Sequence, residues 1–131
     1  MAASKIVLRE GDLFTSPPRN SIILHACNCL GSWGGGIALA FKQKFPTAYE
    51  TYRKHCLDHS EDPRSLIGTC LIIRGASDKY DVGCLFTSVG YGRNVDSPPM
   101  ILDATRKAVK DLMKQNEGES AKEIHSWYVI T

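Results

Sequence analysis

No hydrophobic run in the sequence approaches the roughly 20 residues that a membrane-spanning helix needs, so no membrane partner is expected. The first residues also lack the apolar core of a secretory signal, which predicts an intracellular protein, cytoplasmic or nuclear. Neither sign of charge dominates: Lys and Arg number 16 against 14 Asp and Glu, for a formal net charge of +2. That near-balance gives no broad basic footprint for duplex nucleic acid. The five cysteines are odd in number and, without a secretion signal, read as free thiols rather than a disulfide framework. Internal repeats, linkers and low-complexity segments are absent too, and 131 residues is the size of one domain. What remains is ordinary globular composition, 43% hydrophobic and 23% charged, in a chain long enough to bury a core.

The most informative stretch is residues 21–45. Ile22, Ile23 and Leu24 form an apolar run that suits a buried strand. A polar, glycine-rich segment follows from His25, and Ile37, Ala38, Phe41 and Phe45 then recur at helical spacing. Strand, glycine loop and helix are thus predicted in that order. Gly34, Gly35 and Gly36 carry no Cβ, so a ligand can approach their backbone closely. Their N–H groups open a helix, at the positive end of its dipole, where anions bind. A plain turn would need one glycine, whereas three beside Asn28, His25 and Trp33 point to ligand binding. The spacing excludes a P-loop, because no Gly-Lys-Ser/Thr follows, and it does not match G-x-G-x-x-G. Asn28 offers donor and acceptor to a sugar hydroxyl. His25 is either a proton-transfer group near neutral pH or a histidine satisfied at a strand end. Trp33 either flanks a sugar or packs. Cys27 and Cys29 have no neighbouring basic residues to lower their pKa values and read as small pocket-lining thiols.

Elsewhere, residues 5–9 are predicted as a strand, broken by Gly11 and Asp12, a pair that commonly caps a turn. Residues 47–58 read as a second helix after Pro46, with Tyr49, Tyr52 and Cys56 on one face. His55 and His59 are four apart, but no third ligand accompanies them, so they read as an exposed pair rather than a metal site. Strands are predicted at 69–73 and 82–87, paired as a hairpin across a turn at 77–81. Residues 88–92 form a second glycine-containing loop. Ser97 and Pro98 start a helix whose stripe of Ile101, Thr105, Ala108, Leu112 and Met113 faces the core. Residues 124–130 have strand composition. The order β, β, α, α, β, β, α, β implies a three-layer α/β domain with a mixed sheet. Such sheets bind ligands beyond the carboxyl ends of their strands. Asp12, the first glycine loop and residues 88–92 all follow predicted strands.

His25-Ala26-Cys27-Asn28 followed by Gly34-Gly35-Gly36-Ile37-Ala38 resembles the first ligand loop of macrodomains, which bind ADP-ribose. The surrounding His, Cys and Trp resemble the branch of ADP-ribose 1″-phosphate phosphatases. The resemblance continues in Arg9-Glu10-Gly11-Asp12-Leu13-Phe14 and in Cys84-Leu85-Phe86-Thr87-Ser88, and spans nearly the whole chain. It implies a three-layer α/β/α macrodomain-like mixed sheet in a single domain over residues 1–131. It also implies hydrolysis of ADP-ribose 1″-phosphate to ADP-ribose and phosphate; for that reaction His25 is the candidate catalytic residue, as proton-transfer or water-orienting group. Asp12 would accept from the adenine amino group, beside Gly11 and Leu13. Ala26, Cys27, Asn28, Trp33, Gly34, Gly35, Gly36, Ile37, Ala38 and Ser88 would surround the rest of the substrate. The implied partner is a small molecule, ADP-ribose or its 1″-phosphate, or else an ADP-ribosylated protein; no cofactor and no metal are implied. The alternatives are a non-catalytic module that binds ADP-ribose, or a hydrolase that removes ADP-ribose from protein. The lysine-dependent version of the latter is disfavoured, because the matching loop begins Thr87-Ser88-Val89 and offers no lysine. Macrodomains ordinarily continue beyond the position of Thr131 into a second glycine-rich loop, a helix and a strand. The expectation is therefore a domain lacking those last elements.

Overall fold

A computed structural model of the chain describes residues 7–127. Its sheet has four strands, β1 (Ser21–Asn28), β2 (Cys70–Ile73), β3 (Tyr80–Ser88) and β4 (Ile124–Ser126), in the order β2-β3-β1-β4. β1 runs parallel to β3 and to β4, while β2 and β3 pair antiparallel. The sheet is therefore mixed, as the sequence predicts. Three helices cover it: α1 (Gly36–Lys44), α2 (Pro46–Asp58) and α3 (Pro98–Gln115). Among the described residues no helix is long and apolar enough to cross a membrane.

Strand parity sorts the core into two layers. Along β1, Ile23 and Cys27 face a core shared with Phe41, Phe45 and Tyr52 of the first two helices, while Ile22 and Leu24 face Ala108 and Leu112 of α3. Along β3, Val82, Cys84 and Phe86 belong to the first layer and Leu85 to the second. A strand buried on both faces reads as a continuous apolar run, which is why residues 82–87 stood out. A Cβ on Gly83 would run into the tip of the Leu24 side chain, so glycine leaves room for that leucine between β1 and α3.

The helices start where proline allows. Pro46 and Pro98 occupy first-turn positions, where a missing N–H costs nothing. On α3 the buried stripe is Ala104, Ala108 and Leu112. Met113 is exposed, a correction to the predicted stripe, because the helix turns it one position past the buried line. At the outer edge of the sheet, Asp111 Oδ2 accepts from the Cys70 amide at 2.8 Å, and Gln115 Nε2 donates to the Cys70 carbonyl at 2.8 Å. Side chains of α3 thus complete backbone groups of β2.

Two further expectations change. Val7, Leu8 and Arg9 are exposed and form no strand, and no strand among the described residues pairs with them; Lys5 and Ile6 lie outside the described residues. The final strand is seen at Ile124–Ser126, and the predicted continuation through 128–130 also lies outside them.

Candidate functional site

Because β1 and β3 are adjacent and parallel, the loops after both emerge at one edge of the sheet. Between them lies a cleft of about 650 Å³, a size suited to a small organic ligand. Its lining joins Ala26, Cys27 and Asn28 at the end of β1 to Ser32 and to Gly34, Gly35, Gly36, Ile37 and Ala38. The facing wall is built by Thr87, Ser88, Gly90, Tyr91, Gly92 and Val95. The two loops predicted to meet do so: the Cys29 amide donates to the Val89 carbonyl at 3.0 Å, and Cys29 Sγ donates to the Ser88 carbonyl at 3.5 Å.

The glycine wall opens α1 as expected. Gly35 is the N-cap, and neither a capping side chain nor a first-turn acidic residue competes for the helix N-terminus. A Cβ at Gly35 or Gly36 would meet nothing within 4 Å, so these positions face open space. Gly36 has φ +57, which favours glycine. The facing wall depends on Gly90, where a Cβ would lie 2.4 Å from the Asn94 carbonyl oxygen. Ser88 Oγ accepts from the Asp96 amide at 2.8 Å and donates to the Gly90 carbonyl at 3.0 Å. Asp96 is held in turn by Arg64 at 3.2 Å.

Asn28 lies where the β1–β3 register slips, and its amide is largely committed. Its Oδ1 accepts from the amides of Leu30 at 2.9 Å and Ser32 at 3.3 Å and from the Tyr52 hydroxyl at 3.0 Å. Its Nδ2 donates to the Ser32 carbonyl at 2.6 Å. Asn28 therefore shapes the loop first, and one amide hydrogen remains for a ligand.

Five expected site residues do not line the cleft. His25 is 4% exposed. Its ring stacks on Phe41 at 4.1 Å and meets Trp33 edge-on at 4.7 Å. Residues 23, 25 and 27 share one face of β1, so parity turns this histidine into the helix-facing core. Trp33 is fully buried, stacked on Tyr52 at 4.8 Å, and plugs the loop to α2. Leu13 is a core residue. Gly11, at φ +150, serves a turn in which a Cβ would meet Ser16 Oγ at 2.3 Å. Asp12 caps the same turn: its Oδ1 accepts from the Phe14 amide at 2.9 Å, and its amide donates to Ser16 Oγ at 2.9 Å. The sequence reading missed Ser32, Thr87 and Val95. Ser32 and Thr87 adjoin the two motifs, and Val95 gives no local signal.

Titration follows burial. Burial first, then neighbouring Cys56 and Asp96, push the Cys29 thiol up to about 12. Burial likewise raises Cys56 to about 11 and drives Cys84 well above the ordinary thiol range. None of these is an activated nucleophile. Away from the cleft, His55 and His59 are half-buried rather than exposed: their rings lie 4.8 Å apart and His55 packs on Phe86. Burial and the neighbouring His59 lower the His55 pKa.

The Macro domain family profile matches residues 24–125. A Debaryomyces hansenii protein named ADP-ribose 1″-phosphate phosphatase is 44% identical, over 89% of this chain and 73% of its own length. A Chaetomium globosum protein of the same name is 43% identical, over 86% of this chain. The chain spans 64% of that second relative's length. A macrodomain protein structure from Streptomyces coelicolor superposes with a TM-score of 0.69 at 22% identity, covering 88% of this chain and 73% of its own. That structure bears on the fold, whereas the two sequence relatives and the profile carry the family. With its glycine loop at the mouth of a mixed sheet and a family match across most of its length, the chain belongs to the macrodomain family.

Proposed function

We propose that this macrodomain is an ADP-ribose 1″-phosphate phosphatase, releasing phosphate and ADP-ribose. The observation that carries the reading is the cleft itself: a small-molecule volume walled on one side by three successive glycines at an uncapped helix N-terminus. Backbone N–H groups there suit phosphate oxygens without any cationic side chain. The relatives at 44% and 43% identity, both named for this reaction, select the substrate. The chain's part in the chemistry is electrostatic, with N–H donors fixed where negative charge sits on the phosphate. The Ser32, Thr87 and Ser88 hydroxyls lie within the same lining. Proton transfer by His25 is not part of this proposal, because its ring is enclosed by Phe41 and Trp33. The adenine contact of Asp12 stays a proposal resting on the family resemblance.

A second reading has an observation of its own. Among the described residues lining the cleft there is no carboxylate, imidazole, lysine or arginine, and binding needs none of them. A module that holds ADP-ribose, free or on a protein, without turning it over would use the same walls.

Calorimetry with ADP-ribose and phosphate release from ADP-ribose 1″-phosphate separate the two. The phosphatase reading expects both signals, with Gly35→Glu abolishing both while the fold survives, since that side chain has open space to occupy. Binding without phosphate release establishes the module instead. Unchanged affinity in Gly35→Glu puts the ligand elsewhere.

A further inference from the structure

Beneath the cleft lies a cluster that the binding site does not use. His25 and Cys84 are register partners on the adjacent parallel strands β1 and β3, and Cys27 lies two residues beyond His25. A ligating atom from each of the three falls within 4.8 Å of the others, and all three residues are buried. Cys27 Sγ lies 3.6 Å from His25 Nε2 and 3.7 Å from Nδ1. Donors sharing one tetrahedral zinc, with Zn–S about 2.3 Å and Zn–N about 2.0–2.1 Å, stand roughly 3.5–3.8 Å apart. The nearest Cys27–His25 distance falls in that range, but Sγ is almost equidistant from both ring nitrogens, so loading turns the imidazole to aim one nitrogen at the ion and closes the cluster by about 1 Å at its widest.

We propose that His25, Cys27 and Cys84 form a binding site for a thiophilic d¹⁰ cation, Zn²⁺ or Cu⁺, under the floor of the cleft. Two thiolates and one imidazole are a soft donor set that selects such ions over Mg²⁺ or Ca²⁺. Both sulfurs and the ring sit in an apolar layer where a bare cation would be costly, but two thiolates neutralise Zn²⁺ outright. An arriving ion displaces the thiol protons as it binds the sulfurs. Loading therefore forms two metal–sulfur bonds and releases about two protons to solvent, with no change of oxidation state. Of the three residues only Cys27 also lines the cleft, so a fourth ligand, water or a phosphate oxygen, would enter from there. The choice of a closed structural ion or one open to the cleft is made by that fourth position.

The test uses the full chain, reduced and stripped of metal, titrated separately with Zn²⁺ and with Cu⁺. One equivalent of either ion, with release of about two protons per Zn²⁺, is expected. X-ray absorption on the loaded wild type should show two sulfurs and one nitrogen from the protein. Cys84→Ser should weaken binding by about a hundredfold or more, beyond what losing a mere supporting contact costs. Cys70→Ser, on the opposite face of the sheet, should leave affinity unchanged. Failure of both ions to bind overturns the proposal. So does a shell of oxygen and nitrogen alone, or affinity indifferent to Cys84→Ser. Because the absorption measurement is made on the wild type, a variant that fails to fold does not decide the outcome.

Discussion

At the scale of single residues, position along the chain and orientation of the side chain carry different information. His25 was placed correctly next to the ligand loop, yet it faces the helices, because period-2 alternation sends 23, 25 and 27 to one side of β1. Of the two readings open for Trp33, flanking a sugar or packing, the structure shows packing, as the plug between the loop and α2. Asn28 was expected at a hydroxyl and is mostly occupied by Leu30, Ser32 and Tyr52. In each case the missing information was tertiary, since no local signal says what lies above a side chain. The glycines fared better, because their need is for backbone space and is legible from residue type alone. One prediction belongs here. His25→Ala removes a ring packed on Phe41 and Trp33 and should cost about 2–4 kcal/mol of stability. Denaturant unfolding measures that cost. Under conditions where the variant stays folded, affinity for ADP-ribose and phosphate release should fall together or not at all. A rate loss of about a hundredfold with intact affinity and stability would instead make His25 the proton donor.

The secondary-structure elements were legible where two signals agreed. Proline and helical spacing agreed for α2 and α3, and unbroken apolar runs agreed with turn residues for β2 and β3. The failure at Val7–Arg9 came from apolar composition alone, which cannot show whether a neighbouring strand exists to pair with. Elements are also joined by a charge hub that the sequence did not reveal. Asp81, buried on β3, accepts from Lys122 Nζ at 2.8 Å, Arg74 Nη1 at 3.0 Å and the Gly75 amide at 2.8 Å. It ties the β2–β3 turn to the segment leading into β4. Burial alone would raise its pKa, but Lys122, the Gly75 amide and Arg74 together outweigh burial and hold it below 3.8. A carboxyl lowered on folding stabilises the fold above its unfolded pKa, and that stabilisation is lost as pH falls through the folded value. Wild-type stability should therefore drop as pH falls below 3.8. Asp81→Asn should be less stable at neutral pH, by about 1–3 kcal/mol, and should lose that acid-dependent increment. Urea melts across pH would check both, and parallel pH profiles for the two proteins would count against the hub.

At the scale of the whole molecule, the class of fold followed from the alternation of strands and helices, and the candidate cleft lies beyond the strand ends, where such sheets hold ligands. Strand order did not follow, because β1 lies between β3 and β4, and such long-range pairings leave no mark on local sequence. That order makes the two cleft walls neighbours, joined through Cys29, Ser88 and Val89. A ligand touching both walls should order them as one unit. ADP-ribose at a hundred times its Kd should stabilise the domain by about 2.7 kcal/mol. Amide exchange should slow in residues 29–36 and 88–96 together. Protection of one loop alone would mean that the ligand engages a single wall.

The hydrogen bonds from α3 to Cys70 have a consequence for how copies of this chain meet one another. A strand on the rim of a sheet presents free amides and carbonyls, and a second molecule can zip onto them to begin a cross-strand aggregate. Here Asp111 and Gln115 already occupy the outward pair on Cys70, and β2 is only four residues long. At Cys70 a newcomer would have to displace a charge-assisted contact from Asp111 and an amide contact from Gln115. Two polar side chains remote from the cleft thus shield the start of this rim from strand addition.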